Sequence, residues 1–223
     1  MKNVALFGQM YAGKSTIADA LTDAGYHRLS FAGPLKNVAA LAYGPINKTE
    51  DYATSESVND WTGIRLKSGR QILQEVGQTI KAVDRDFWLK CFFRDADNYL
   101  GVPLVVDDGR FLFEYQALRD SLWLCVGVRT EDSVRWQRAV SLNGREPTPE
   151  EKNHESERQV PEILDKCDII VDGTADAYAN VKKILLYARG EHPAHNWYYY
   201  DLDGKPFPGI CTLCGDLKEP DAA

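Results

Sequence analysis

Gly8-Gln9-Met10-Tyr11-Ala12-Gly13-Lys14-Ser15, continued by Thr16, is the stretch from which the fold can be read. These residues fit G-x4-G-K-[ST], and their flanks inform as much as the pattern. Val4-Ala5-Leu6-Phe7 is a short unbroken apolar run, which suits a parallel strand buried on both faces. Ser15 to Ala24 carries apolar residues at helical spacing and stops at Gly25, a suitable helix end. Strand, glycine-bearing turn and helix in that order make an anion cradle. The glycines let the backbone curl until successive N–H groups point inward. The helix N-terminus adds free N–H groups and the positive end of its dipole. Tyr11, Ala12, Gly13, Lys14, Ser15 and Thr16 are therefore expected to hold a nucleoside triphosphate, with Lys14 at the β- and γ-phosphates and Ser15 on Mg²⁺.

Working outward, strands and helices alternate. Residues 27–32, 103–106, 122–128 and 168–171 read as further strands. Residues 34–41, 69–83, 86–100, 113–118 and 175–187 read as helices, and Thr130 to Arg158 is charge-rich and opens with another. Gly44 to Ser68 is polar and reads as an irregular covering segment. The fold class that follows is α/β, a three-layer arrangement around a parallel sheet. Beyond Arg189 the helical period is lost and Pro, Gly and aromatic residues dominate, so residues 191–223 read as a small C-terminal appendix to a domain of residues 1–190.

A phosphate-binding loop needs a second carboxylate near Mg²⁺ at the end of a buried strand. Asp107 and Asp108 follow Leu104-Val105-Val106. Register decides which of them faces the metal, and the expectation leans to Asp108. Phosphoryl transfer also needs cations, and the planar fork of arginine grips phosphate bidentately. Arg110 follows the acidic strand end and Arg70 opens a helix, so both are candidates for an acceptor phosphate. Arg135 and Arg138 lie on the helix after the fourth strand, placed to fold over a triphosphate. Lys36 is a secondary phosphate candidate near the sheet's carboxyl edge.

The 223 residues are 44% hydrophobic and 26% charged, ordinary for a globular protein with a sizeable core, and the net charge is −7. With no basic run, duplex nucleic acid is disfavoured as a partner, because its affinity rests on phosphate neutralisation. No segment reaches membrane-spanning length, and the N-terminal apolar run is too short for a signal peptide, so a cytoplasmic location is expected. Cys91, Cys125 and Cys167 are scattered and read as free thiols.

An ordered set of motifs carries a resemblance. It comprises the P-loop, Ser30-Phe31-Ala32-Gly33-Pro34-Leu35-Lys36, Gly69-Arg70-Gln71-Ile72-Leu73-Gln74 with Gly77 and Phe87-Trp88, Asp108-Gly109-Arg110-Phe111 with Glu114, and His154-Glu155-Ser156-Glu157. Together they resemble the bacteriophage deoxynucleoside monophosphate kinases over about residues 1 to 190. The resemblance implies a P-loop kinase fold, transfer of the γ-phosphate of ATP to a deoxynucleoside monophosphate with Mg²⁺, and, for a phage-encoded chain, the host cytoplasm. It also implies a monophosphate-binding insert (about 34–100) and a lid (about 129–158). By position, Arg70 and Arg110 would hold the acceptor phosphate, Trp88 would wall the base, and His154 with Glu157 would close the site. Two positions depart from the family: Gly33 stands where an acid is usual, and Lys81 where an arginine is common. Two other readings stand beside it: another small-molecule P-loop kinase, such as one acting on dephospho-coenzyme A, and a P-loop switch with the appendix as its interaction surface.

In the appendix, His192 and His195 precede a Cys-x-x-Cys pair, Cys211 and Cys214. This set suits a tetrahedral zinc site, and a metal would order a segment too small to bury its own core. The competing reading is free thiols on a tail docked to the domain. Tyr198-Tyr199-Tyr200 suits packing on the domain or self-association. Metal analysis of the purified protein separates the two: one zinc per chain with unreactive Cys211 and Cys214 is the outcome of a site, whereas no zinc and two titratable thiols exclude it.

Overall fold

The computed structural model describes residues 1–48, 50–55, 64–191, 197–198, 209–211 and 217–218. In chain order, β1 is Val4–Phe7, α1 Lys14–Asp23, β2 His27–Leu29, α2 Ala32–Tyr43, β3 Asp51–Ser55, β4 Ile64–Ser68, α3 Gly69–Val83 and α4 Phe87–Ala96. Then come β5 Leu104–Val106, α5 Leu112–Asp120, β6 Leu124–Arg129, α6 Asp132–Asn143, α7 Pro149–Lys152, α8 Glu155–Lys166, β7 Ile169–Asp172 and α9 Ala177–Ala188. Three short strands follow: β8 Trp197–Tyr198, β9 Gly209–Cys211 and β10 Leu217–Lys218.

The main sheet has the order β2-β5-β1-β6-β7, with β1 in the middle. Val4 pairs in parallel with Val105 on one side and Leu124 on the other, and Val126 pairs in parallel with Ile169. Every residue of β1 and β5 is buried, as their apolar runs require. The chain leaves β1 toward β2, returns through β5, and then crosses to β6. The direction of winding therefore reverses at β1, and the loop Gly8–Lys14 leaves the carboxyl end of that strand. In an open α/β sheet ligands bind there.

One core lies between the sheet and the face covered by α1 and α9. Val4 and Leu6 of β1, Val105 of β5, Val126 and Val128 of β6 and Val171 of β7 meet Ile17, Leu21, Val181 and Ile184. On the other face α8 packs with α5, and Tyr115 donates its hydroxyl to the Lys166 carbonyl at 2.6 Å. Helix α8 has Pro161 inside it and was not legible in the charge-rich sequence around it.

The chain divides into two compact units: Met1–Arg28 with Gly101–Ala223, and Leu29–Leu100. The second corresponds to the expected insert and begins ahead of Pro34. Within it, Phe31 stacks on Phe92 with ring centroids 4.1 Å apart, and Leu35 of α2 lies beside Gly77 of α3. The stretch expected to be irregular holds the antiparallel hairpin β3–β4, registered Asp51 with Ser68 through Ser55 with Ile64. Its period-two signal is faint because Leu66 lies exposed and the pair has little core to face. Ser68 then caps α3, its hydroxyl accepting from Gln71 N while the Gln71 side chain accepts from Ser68 N.

In the appendix, β8, β9 and β10 form an antiparallel ladder, with Trp197 opposite Cys211 and Leu217 opposite Ile210. His192, His195 and Cys214 lie outside the described residues, as do Tyr199 and Tyr200. Among the described residues no helix is long and apolar enough to cross a membrane.

Leu21 is fully buried between α1 and the sheet. Leu21→Ala is expected to cost about 2–5 kcal/mol of stability, the range for a buried leucine that leaves a cavity. Urea unfolding followed by tryptophan fluorescence measures it.

Candidate active site

The loop after β1 turns through two positive φ angles, at Gly13 (+99°) and at Tyr11 (+61°). Glycine tolerates this conformation, whereas a tyrosine there costs about 1–2 kcal/mol. Tyr11 is held at both ends: Arg138 Nη1 donates to its carbonyl at 3.2 Å, and Asn143 Nδ2 donates to its hydroxyl at 2.6 Å.

A loop that turns N–H groups inward turns carbonyls outward, and those need donors. Here they come from the carboxyl ends of neighbouring strands and from α6. Arg135 Nε donates to the Met10 carbonyl at 3.0 Å, and its Nη1 to Gln9 Oε1 and to Asp132 at 2.8 Å. Thr130, just past β6, donates its hydroxyl to the Ala12 carbonyl at 2.8 Å. Gly173, just past β7, packs so tightly that a Cβ would collide with the Ala12 carbonyl and the Thr130 hydroxyl. Arg138 Nη2 donates to the Gly173 carbonyl at 2.8 Å.

These contacts change the reading of two arginines. Arg135, expected to bind the triphosphate, is 2% exposed and supports the loop from its carbonyl side. Arg138, expected to neutralise the transferring phosphoryl group, borders Gly13 but has its fork on the Tyr11 and Gly173 carbonyls. The expected lid (about 129–158) spans α6 and α7. Helix α6 is tied to the loop through Arg135, Arg138 and Asn143, and the segment after it carries α7. There Arg145 pairs with Glu151, and the Trp136 ring has the Arg135 guanidinium 4.5 Å and the Lys152 ammonium 4.4 Å from its centre.

Inside the loop, Lys14 Nζ donates to the carbonyls of Gly8 (2.6 Å) and Gln9 (2.9 Å). Burial pushes its ammonium down from 10.5 to about 8; the nearby Arg110 charge acts in the same direction, against Glu157 and Asp107. Ser15 donates its hydroxyl to Asp107 Oδ2 at 2.8 Å.

That bond corrects the expectation for Asp108: the carboxylate at the loop serine is Asp107. The reason is strand parity. Val105 faces α1 in the core, and side chains two apart share a face, so Asp107 also points toward α1. Asp107 is 6% exposed, and Arg28 from β2 grips it bidentately, Nε to Oδ1 at 2.9 Å and Nη2 to Oδ2 at 2.5 Å.

Arg110 and Glu157 meet at the same end of the sheet. Glu157, 2% exposed, accepts from the loop's Met10 N–H at 2.9 Å and from Arg110 Nη1 at 3.0 Å, with Arg135 Nη2 3.9 Å away. Glu114 Oε2 accepts from the backbone N–H groups of Arg110 and Phe111, fixing that turn. His154 does not join this group. It is exposed at the start of α8, and its Nδ1 accepts from the Ser156 N–H as a helix cap.

In the insert, Trp88 is buried and donates its indole N–H to the Gly77 carbonyl at 3.2 Å. It joins α4 to α3, a packing role in place of the expected wall for a base. Lys36 on α2 and Arg70 on α3 are exposed. Arg28, Gln9, Thr130, Asn143 and Gly173 went unrecognised in the sequence. For Thr130 and Gly173 a signal was present, since both follow the carboxyl end of a buried strand.

No protein-family profile matches the chain, and no curated protein does. Solved structures do match. The chain is similar to TT1252 from Thermus thermophilus, with a TM-score of 0.54 and 18% identity over 83% of this chain and 97% of that one. It is also similar to shikimate kinase from Aquifex aeolicus, with a TM-score of 0.52 and 20% identity over 85% and 97%. Shikimate kinase from Acinetobacter baumannii, solved with shikimate, gives 0.50 and 14% over 87% and 96%. At these identities the likeness is one of fold, and the fold is the α/β P-loop kinase fold.

Two outcomes follow for the loop. A bound triphosphate favours the charged form of Lys14, so binding takes up a proton near and above pH 8, and affinity falls as pH rises through about 8. Calorimetric titration in buffers of different ionisation enthalpy reads the proton; pH-independent affinity between 6.5 and 9 would contradict it. Gly173→Ala displaces the Ala12 carbonyl and is expected to weaken triphosphate binding about tenfold or more, equivalent to at least about 1.4 kcal/mol.

Proposed function

We propose that the chain transfers the γ-phosphoryl group of ATP to a deoxynucleoside 5′-monophosphate. An oxygen of the acceptor phosphate attacks the γ-phosphorus, the bond to the β-phosphate bridging oxygen breaks, and ADP and a deoxynucleoside diphosphate leave. The observation that carries this reading is a pair of cations from separate strand ends. Lys14 sits inside the loop, and Arg110 lies close enough to depress its pKa. Arg110 is 39% exposed in its side chain, and among the described residues only Nη1 of its fork is hydrogen-bonded, to Glu157. Two like charges held together by burial and one carboxylate suit a site that receives polyanions.

Each residue has a definite task in this reading. The N–H groups of Tyr11 and of Gly13 to Thr16 bind the triphosphate, while the Ala12 N–H closes the turn onto the Gln9 carbonyl, and Lys14 exchanges the Gly8 and Gln9 carbonyls for the β- and γ-oxygens. Glu157 orients Arg110 toward the acceptor phosphate and, through the Met10 N–H, keeps the loop in place. The Ser15 hydroxyl and the Asp107 carboxylate are hard oxygen donors, the set that Mg²⁺ selects, and they would hold it. The metal neutralises charge on the β- and γ-phosphates when bound. Arg70 and Lys36, exposed on the insert, are proposed to contact the monophosphate. The ordered motifs from Ser30 to Glu157 support a deoxynucleotide over other acceptors.

A coupled assay of ADP formation tests the reading against the common deoxynucleoside monophosphates, dephospho-coenzyme A and shikimate. At least one deoxynucleoside monophosphate is expected to raise turnover well above basal hydrolysis. Stimulation by dephospho-coenzyme A or shikimate alone would move the chain to another acceptor, and no stimulation by any would leave a P-loop switch. Lys14→Ala is expected to abolish transfer. Arg110→Ala is expected to raise KM for the monophosphate by about tenfold or more, the scale of a lost charge-assisted phosphate contact, with ATP affinity little changed.

A further inference from the structure

The Ser15–Asp107 pair has a neighbour that a metal site does not require. Arg28 projects from β2 and places two donors on the Asp107 carboxylate, Nε on Oδ1 at 2.9 Å and Nη2 on Oδ2 at 2.5 Å. Ser15 adds a third donor on Oδ2 at 2.8 Å. A carboxylate offers about four lone-pair positions, so at least three of them are occupied by donated hydrogens. The remaining guanidinium nitrogen is anchored as well, Nη1 donating to Asp19 on α1 at 2.6 Å. The charge balance matters equally. Asp107 is 7% exposed in its side chain and faces the Arg28 charge, which Asp19 shares, within hydrogen-bond distance, while the buried Lys14 ammonium adds a positive charge on the loop that carries Ser15.

We propose that Arg28 is a positioning residue of the metal site: it keeps Asp107 oriented and its lone pairs occupied, so that the site binds a divalent cation far more tightly together with the phosphates of a nucleotide than alone. A carboxylate with three donors on its oxygens, beside a lysine, offers a free cation few open lone pairs. Phosphate oxygens supply the missing negative charge, and the Ser15 hydroxyl can donate to Asp107 while its lone pair turns to the metal. The proposal rests on the triphosphate reading of the loop but not on the identity of the acceptor. It makes Arg28 the reason that a cation enters as the metal–nucleotide complex.

Mn²⁺ titration followed by electron paramagnetic resonance tests it, with and without a non-hydrolysable ATP analogue, on the wild type, Arg28→Met and Arg28→Lys. The wild type is expected to bind Mn²⁺ weakly alone and much more tightly with the analogue. Arg28→Met frees a buried carboxylate, and its affinity for Mn²⁺ alone is expected to rise about tenfold or more, since unit charges a few ångströms apart interact strongly at a partly buried site. Arg28→Lys keeps a charge but loses the fork, so an intermediate rise is expected. Circular dichroism establishes folding; if Arg28→Met does not fold, Arg28→Lys carries the test. Folded variants that bind free Mn²⁺ no better than the wild type would overturn the proposal and leave Arg28 as a tie between α1, β2 and β5. A wild type that binds Mn²⁺ with the analogue no better than alone would overturn it too. A wild type that does not bind the analogue at all would instead sink the triphosphate reading.

Discussion

A loop that aims its N–H groups at a phosphate must leave its carbonyls pointing the other way, and a buried carbonyl without a donor is costly. Most of the site's architecture answers that constraint. The Met10, Tyr11 and Ala12 carbonyls receive hydrogen bonds from Arg135, Arg138 and Thr130, and the Met10 N–H is taken by Glu157. These donors come from beyond β6 and from α6, while Gly173 beyond β7 permits the close approach. The strained backbone of Tyr11 persists because the same elements hold it. The loop's shape is thus set by the far side of the sheet as much as by its own glycines.

The second layer of organisation is electrostatic. Four cations, Lys14, Arg28, Arg110 and Arg135, converge on one end of the sheet, and two buried carboxylates keep them there. Glu157 serves Arg110 and lies near Arg135, while Asp107 serves Arg28. Lys14 is left to backbone carbonyls alone, so burial lowers its pKa to about 8. Two more exposed carboxylates complete the set, Asp19 on Arg28 at 2.6 Å and Asp132 on Arg135 at 2.8 Å.

Residue identities alone misplaced several roles because they do not report which face a side chain takes. Asp107 and Asp108 are chemically alike; the packing of Val105 against α1 assigns Asp107 to Ser15. Arg135 and Arg138 sit one turn apart on α6, a spacing that suits a lid, yet both are spent on loop carbonyls. Trp88 reads equally as a base-stacking ring or a core ring until its N–H is seen on Gly77. His154 lies three residues from Glu157 but caps α8 while Glu157 turns inward. The β3–β4 hairpin and helix α8 were obscured for a related reason: one has little core to face, and the other is charge-rich and contains Pro161.

The sequence by itself determined the α/β architecture, the anion-binding loop and the strand ends where ligands gather. Each of these depends on local patterns: apolar runs of strand length, helical periodicity, and glycines where the backbone must turn. Tertiary structure alone decided which carboxylate meets Ser15, which arginines brace the loop and which one pairs with Glu157, and that Arg28 shares Asp107. Those assignments join residues 47 to 127 positions apart. They depend on strand order and side-chain parity, which no local pattern encodes.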